Sequence, residues 1–155
     1  MNYKPWLKTT GLTAIAIATM IAAPHEGLRL KAYPDVGGVW TICYGHTHGV
    51  KRGDTATLDE CKAYLAADMP IADAAVSRCI NTILNVNQRA AFDDAVYNLG
   101  PKVVCGSTLQ RMANDGDFKG ACNQLKRWVY AAGQKSNGLI GRRADDTELC
   151  LTEPK

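Results

Sequence analysis

Residues 25–46 have the sequence HEGLRLKAYPDVGGVWTICYGH, in which two acidic residues lie near glycines. Glu26 directly precedes a glycine, where a helix built from the apolar residues before it would stop. Asp35 begins the turn Asp-Val-Gly-Gly, and Thr41 lies in the β-branched run VWTICYG that follows. The segment therefore predicts a helix end that leads into a small β-meander over residues 29–50.

A turn that faces a helix end can place two carboxyl groups across a small gap, as glycoside hydrolysis requires. One carboxylic acid protonates the leaving oxygen, and the other carboxylate directs water or stabilises the cation. The two groups need different pKa values, so we expect Glu26 to be less solvated than Asp35. The hydroxyl of Thr41 can hold the attacking water beside Asp35. The spacing alone is weak evidence, because surface carboxylates near turns are common.

This segment resembles the catalytic signature of the phage-type lysozymes, a family of glycoside hydrolases. The signature is Glu, eight residues, Asp or Cys, five residues, Thr, and Glu26, Asp35 and Thr41 match all three positions. The surrounding E-G-x-R-L-x-A-Y-x-D and T-x-x-x-G-H runs are equally characteristic, and the likeness extends over residues 25–151. It includes Tyr97-Asn98-Leu99-Gly100, Ser107-Thr108-Leu109, Arg127-Trp128 and the stretch from Gly138-Leu139 to Arg142-Arg143.

The resemblance implies an endolysin that cuts peptidoglycan glycan strands to lyse the host cell and release phage. The bond implied is the β-1,4 link between N-acetylmuramic acid and N-acetylglucosamine. Glu26 is implied as the general acid, and Asp35 with Thr41 as the residues that handle water. His25 is interpreted only as a neighbour of the acid. The resemblance implies a monomer that uses no cofactor.

Other residues of the likeness receive separate interpretations. Tyr97 and Thr108 match positions that line the glycan cleft in relatives and are candidate substrate-binding residues. The resemblance implies a structural ion pair between His46 and Asp68, which we favour over a catalytic base at His46. Trp128 is more typical of a core residue than of a sugar platform.

The six cysteines are an even number, which suits an oxidising compartment. None forms C-x-x-C or lies beside a histidine at zinc-finger spacing, so the sequence predicts no metal site. The cysteines could form disulfides or remain as buried thiols. The sequence alone does not give the connectivity, because six cysteines allow many pairings. The working pairing is Cys43–Cys61, Cys79–Cys105 and Cys122–Cys150.

The N-terminal segment is apolar but only weakly hydrophobic. Residues 9–24 carry no charge, and Lys4 and Lys8 precede them, which would keep the N-terminus in the cytoplasm and send the rest across. A full transmembrane helix needs about 20 strongly apolar residues, and a signal-peptide core needs about 7 to 15. The alternatives are a cleaved signal peptide, a permanent anchor, and a segment that inserts and later leaves.

The family likeness favours the third alternative. In that family the catalytic glutamate follows an N-terminal helix, and only the apolar residues are available to build it. Cleavage of the segment would remove the helix that supports Glu26. Pro24, two residues before Glu26, is expected to kink this helix. The chain thus resembles the signal-arrest-release endolysins, with residues 1–24 as the releasable segment and residues 25–155 as the catalytic domain. We expect it in the host inner membrane facing the periplasm, and soluble in the periplasm after activation.

The pattern becomes helical after residue 56. Thr57–Glu60 and Ser107–Gln110 each match a capping box. Together with the meander, these helices predict an α+β fold with a small β-sheet lobe, a larger helical lobe and a substrate cleft between them. The first predicted helix carries Leu58, Cys61, Leu65 and Met69 on one face; the others cover residues 87–99 up to Gly100-Pro101, Asp117 to Tyr130, and residues 139–151.

Composition fits this interpretation. The 155 residues, 46% apolar and 21% charged, suit one globular domain with or without a targeting segment. The net charge of +3 is too small to indicate a nucleic-acid binder. A loose basic cluster in the last third is interpreted as a solvated face, with adhesion to an anionic polymer as the alternative. It comprises Lys119, Lys126, Arg127, Lys135, Arg142 and Arg143.

Three other functions were weighed against this one. A lytic transglycosylase also uses one glutamate but needs no water-directing pair, so Asp35 and Thr41 argue against it. A wall-binding protein that has lost catalysis is disfavoured by the intact triad. A pore-forming lysis protein would need several hydrophobic spans, and the chain offers one candidate.

Overall fold

A computed structural model describes residues 4–8 and 11–155. Its main elements are six α-helices and two short antiparallel hairpins within that part of the chain. The helices are α1 Ala14–Ala22, α2 Leu58–Cys79, α3 Val86–Leu99, α4 Thr108–Asn114, α5 Phe118–Gln124 and α6 Asn137–Leu151, with 3-10 turns at Pro5–Lys8, Pro101–Val103 and Leu125–Arg127; the strands are β1 Arg29–Pro34, β2 Trp40–Cys43, β3 Tyr130–Ala131 and β4 Gln134–Lys135.

The β1–β2 hairpin forms the small lobe. Tyr33 pairs with Thr41 across it, and isolated bridges join Lys31 to Thr55 and Ile42 to His46. The predicted meander over residues 29–50 is therefore a two-stranded hairpin widened by single bridges. Its own small core consists of Ala32, Ile42, Cys43 and Cys61.

The helical lobe is built around α3, which packs against α1, α2 and α6. Burial on several sides explains why α3 is rich in alanine and carries the fully buried Phe92. The helix ends at Gly100 with φ 91°, a backbone conformation that glycine adopts at little cost. The predicted α+β arrangement of two lobes is confirmed. The largest apolar side chains of the main core that are at most 2% exposed are Ile17, Ile21, Leu65, Met69, Phe92, Leu109, Leu125 and Leu149.

The apolar N-terminal segment contributes α1 to this core. Thr13 caps the helix by accepting a hydrogen bond from the Ala16 N–H at 3.2 Å. Ile17 and Ile21 are at most 1% exposed, and each contributes about 1.5–3 kcal/mol by burial. The helix ends at Ala22, before the proline, so no proline kink forms within it. None of the helices in the described part of the chain is long and apolar enough to cross a membrane.

The two predicted capping boxes have different outcomes. At α2 the Thr57 hydroxyl accepts from the Glu60 N–H at 3.2 Å, and Glu60 accepts from the Thr57 N–H at 2.7 Å, so the box is complete. At α4 Ser107 accepts from the Gln110 N–H at 3.1 Å, but the Gln110 side chain binds the Gly106 N–H instead. The second box is therefore only half formed, because the glutamine has a better-placed partner one residue earlier.

Leu58, Cys61, Leu65 and Met69 all lie in α2, as predicted, and Leu58 at its start is 43% exposed. One detail of the helix predictions was wrong. Asp117 does cap a helix, but α5 ends at Gln124 and Tyr130 lies in a hairpin. Ala132 and Gly133, which form the two-residue turn of that hairpin, both have positive φ, as tight hairpin turns require.

Three disulfides connect the elements. One joins β2 to α2, one joins the end of α2 to the segment before α4, and one joins α5 to α6. All six cysteines take part. The bonded pairs are Cys43–Cys61, Cys79–Cys105 and Cys122–Cys150, the same as in the working pairing.

Candidate active site

Glu26 lies in the turn that leaves α1. The N–H groups of His25 and Glu26 both donate to the Ala22 carbonyl at 3.0 Å, so the last helical turn fixes the backbone here. Glu26 Oε1 accepts a hydrogen bond from Arg142 Nη1 at 2.6 Å, and its side chain is 21% exposed. A Cβ at Gly45 would lie 3.5 Å from Glu26 Oε2, so the glycine keeps the space beside this oxygen open.

Arg142 of α6 connects Glu26 to the helical core. Its Nη2 and Nε atoms donate to the two oxygens of Asp94 at 2.7 and 3.0 Å, a bidentate arrangement. Arg142 is 3% exposed and Asp94 is fully buried. Burial opposes the charge on the guanidinium, but the carboxylates of Asp94 and Glu26 outweigh it and raise the pKa of Arg142. Arg142 thus remains a cation that holds one oxygen of Glu26.

A second buried ion pair lies behind the first. Arg143 Nε is 2.9 Å from Asp146 Oδ2, and Arg143 Nη2 is 3.6 Å from Asp94 Oδ2. Burial raises the pKa of Asp146 well above its usual value, whereas at Asp94 the neighbouring Arg142 outweighs burial and lowers the pKa. The interpretation of both arginines as a solvated face was wrong, because buried acidic partners, Asp94 of α3 and Asp146 of α6 itself, hold them in the core. The exposed members of the predicted basic cluster are Lys119, Lys126, Arg127 and Lys135.

This network was missed from the sequence. The signal was present as two adjacent arginines in the last helix and two adjacent acidic residues, Asp93 and Asp94, between the apolar residues Phe92 and Ala95 of α3. An acidic pair surrounded by alanines and Phe92 predicts buried charge, and buried charge requires partners.

Asp35 and Thr41 both bind the backbone of Val39 in the β1–β2 hairpin. Asp35 Oδ1 accepts from the N–H groups of Gly37 and Val39, each at 2.8 Å. The Thr41 hydroxyl donates to the Val39 carbonyl at 3.0 Å and is 4% exposed. Within residues 4–8 and 11–155, no hydrogen bond joins Glu26 to either side chain. The acid and the water-handling pair therefore come from separate elements, as the sequence predicts.

Tyr97 lies near the carboxyl group of Glu26. Its hydroxyl donates to the Tyr44 carbonyl at 2.7 Å, and burial together with the nearby Glu26 raises the pKa of Tyr97, so it stays a hydrogen-bond donor. A pocket of about 440 Å³, which we name the Tyr97 pocket, lies between the two lobes. Its lining includes Gly45, His46, Asp68, Ala75, Val96, Tyr97 and Pro101.

Thr108 lies elsewhere. It lines a different pocket of about 480 Å³, the Thr108 pocket, together with Ser107, Gln124, Arg127 and Trp128. The structure thus does not bring Tyr97 and Thr108 into one pocket, although Pro101 lines the Tyr97 pocket and the next residue, Lys102, lines the Thr108 pocket. Trp128 both packs against the main core and lines the Thr108 pocket.

Two histidines near the site each contact an aspartate. His46 Nδ1 is 2.7 Å from Asp68 Oδ2, and its ring stacks on Tyr64 with 4.2 Å between the centroids. His25 Nε2 is 2.7 Å from Asp145 Oδ2, a contact that the interpretation of His25 as a simple neighbour did not include. Among the side chains the structure describes, no group of His, Cys, Asp and Glu could hold a metal ion.

Comparison with known proteins agrees with this geometry. The family model described as phage lysozyme matches residues 23–146. The SAR-endolysin of Enterobacteria phage P21 is 43% identical over 149 residues, covering 89% of this chain and 88% of its own length. The family-model match begins just after α1 and includes the β1–β2 hairpin and most of the helical lobe.

Solved structures of one phage enzyme distinguish two conformations. The active form of the P1 phage endolysin Lyz has a TM-score of 0.79 at 26% identity, over 87% of this chain and 83% of that one. The secreted inactive form of the same endolysin has a TM-score of 0.55 at 23% identity, over 68% of this chain and 75% of that one. The fold described above is thus closer to the active form. The chain belongs to the phage lysozyme family, whose members are glycoside hydrolases.

Proposed function

We propose that this peptidoglycan-hydrolysing endolysin cleaves the β-1,4 bond between N-acetylmuramic acid and N-acetylglucosamine, with Glu26 as its general acid. The observation that carries the proposal is the two-sided environment of this carboxyl group. Oε1 is held by Arg142, whereas Oε2 lies beside Gly45, which has no side chain and lines the Tyr97 pocket. One oxygen is thus fixed by the protein, and the other is available to a substrate.

In the proposed reaction the bond between the anomeric carbon and the bridging oxygen breaks. The bridging oxygen takes the proton of Glu26, which becomes a carboxylate. A water oxygen adds to the anomeric carbon, and a proton of that water passes to Asp35. Exchange with solvent then restores both carboxyl groups to their starting states.

The hairpin supplies the water-binding groups in this scheme. Because the Thr41 proton is used on the Val39 carbonyl, the Thr41 oxygen is left to accept a hydrogen bond from water. Asp35 Oδ1 is used by two backbone N–H groups, so Oδ2 is the oxygen assigned to the water. Tyr97 and Thr108 are proposed as substrate-binding residues, with the glycan strand extending across their adjoining pockets.

Isotope labelling of the products tests this reaction. Peptidoglycan digested by the enzyme in ¹⁸O-labelled water should show the label at the new reducing end of N-acetylmuramic acid in mass spectra. An unlabelled anhydro sugar at that end would instead mean that the enzyme is a lytic transglycosylase. The Glu153→Gln variant, which changes an exposed glutamate, should give the same labelled product as the parent enzyme.

We further propose that residues 1–24 leave the inner membrane to complete the active monomer. In the structure α1 packs into the core behind Glu26. The segment can therefore be buried either in the folded enzyme or in the bilayer, and the two locations compete. The similarity to SAR-endolysins and to an active endolysin form supports this order of events. The membrane potential is the proposed bias between the two locations.

Cell fractionation tests the release. Before the membrane potential is dissipated, the full-length chain should sediment with the inner membrane, facing the periplasm. Afterwards the same full-length chain should appear in the soluble periplasmic fraction. A soluble and shortened chain before dissipation would contradict the proposal, because it would show that the segment is cleaved.

A further inference from the structure

Residues on both sides of α1 contact one carboxylate of α6. Lys4 Nζ lies 2.8 Å from Asp145 Oδ1, and His25 Nε2 lies 2.7 Å from Asp145 Oδ2. The side chains of Lys4, His25 and Asp145 are only 28%, 21% and 17% exposed. Lys4 precedes α1 and His25 follows it, so Asp145 closes the segment into a loop that contains the whole helix.

The contact sits next to the catalytic carboxyl group. Arg142 and Asp145 are three residues apart on α6, so they lie on the same face of the helix. Arg142 holds Glu26, and Asp145 holds the preceding residue, His25. His25 and Glu26, which are adjacent in the chain, are therefore held by Asp145 and Arg142, which are one helical turn apart on α6.

We infer that Asp145 is a positioning residue. It holds Lys4 before α1 and His25 after α1 against α6, and thereby fixes the position of Glu26. This inference rests on the proposed role of Glu26 as the general acid. An aspartate suits the task because each of its oxygens accepts from one donor. An asparagine has one acceptor oxygen and no charge, so it cannot offer Lys4 and a donating His25 Nε2 one carboxylate oxygen each.

Kinetics of the purified full-length chain provide the first test. Asp145→Asn should lower kcat by at least about tenfold, because small displacements of a catalytic group are costly. KM should change less than about twofold, since Asp145 lines neither substrate pocket. Asp145→Glu, which keeps both acceptor oxygens, should recover most of the lost kcat.

Glu148→Gln is the matched control. Glu148 lies on the same face of α6 and also contacts Lys4, but it has no contact with His25 in the described structure. Its kcat should stay within about twofold of the parent value. An equal loss of kcat in this variant and in Asp145→Asn would overturn the inference, because it would assign the effect to Lys4 or to surface charge alone.

Hydrogen exchange separates this inference from the proposed chemistry, because it needs no activity. In Asp145→Asn the amides of residues 14–26 should exchange at least about tenfold faster than in the parent, while those of α3 stay protected. Unchanged exchange of residues 14–26 in the folded variant would overturn the inference, whatever the role of Glu26. Faster exchange with unchanged kcat would overturn it as well, because docking would then not position the acid.

Discussion

At the level of single residues, Arg142 connects catalysis to stability. It is the one side chain that contacts both Glu26 and the buried Asp94 in the described structure. Breaking a buried ion pair leaves an uncompensated charge inside the protein, which is far more costly than losing a surface pair. The position of Glu26 therefore depends on a charge network that belongs to the core.

Arg142→Met should strongly destabilise the enzyme. Because the nearest cation left to Asp94 would be Arg143, at 3.6 Å, we expect the free energy of unfolding to fall by about 3–5 kcal/mol. Urea unfolding followed by circular dichroism measures this change. Arg127→Met, at an exposed position, should shift it by less than about 0.5 kcal/mol. Similar unfolding curves for both variants would show that the network contributes little.

Asp93 predicts a pH dependence of stability. It is fully buried, and this burial, followed by the charge of Asp73, raises its pKa to about 8. The folded state therefore binds a proton that the unfolded state releases near the ordinary value of 3.8. The associated stability is complete below that lower value and is lost as the pH rises through about 8.

Asp93→Asn should remove this dependence. The stability of the variant relative to the parent should increase as the pH is raised from about 5 to about 8, and then level off. Urea unfolding of both proteins at several pH values within that range checks the trend. A constant difference between them would mean that Asp93 has an ordinary pKa in the folded protein.

At the level of elements, α1 acts as the support for the catalytic turn. Ile21 is fully buried and lies one residue before Ala22, whose carbonyl binds the Glu26 N–H. Ile21→Ala should lower the free energy of unfolding by about 2–5 kcal/mol through the cavity it leaves. Leu12→Ala, at a side chain that is 42% exposed, is the control with a small expected effect. Thermal or urea unfolding of the soluble chain measures both, and equal stability of the two variants would contradict a docked α1.

Local sequence signals predict some elements well and others poorly. The capping box at Thr57 and the helix end at Gly100 depend on neighbouring residues alone, so both are visible in the sequence. The Gln110 side chain instead donates to the Cys79 carbonyl, 31 residues away, and this tertiary partner leaves no local pattern. The turn at Ala132-Gly133 was missed because alanine rarely adopts positive φ.

The candidate site shows the same division. Glu26, Asp35 and Thr41 lie within one short stretch whose spacing resembles a known signature, so the sequence suffices to propose them. The partner of Glu26 is 116 residues away on α6, and no spacing rule links the two positions. What a single sequence lacks is the packing of α3 against α6, which determines the acidic partners that the two arginines meet.

At the level of the whole molecule, one disulfide joins the hairpin lobe to the helical lobe, and the other two connect elements within the helical lobe. The Cys122–Cys150 bond closes a separation of 28 residues between α5 and α6, the helix that carries Arg142 and Asp145. Replacing both cysteines by alanine should lower the free energy of unfolding by about 2–4 kcal/mol. Urea unfolding under non-reducing conditions measures the loss, and adding a reductant should affect the parent more than the variant. Equal stability without reductant would show that the bond is dispensable.

The whole account depends on a single carboxylic acid at the end of a docked helix. The most direct measurement is the clearing of chloroform-treated Gram-negative cells by the Glu26→Gln variant, which keeps the side-chain shape but has no acidic proton. The variant should be folded, with a melting temperature near that of the parent, and its lytic rate should fall by at least about 100-fold. A folded variant that clears the cells at the parent rate would contradict the account.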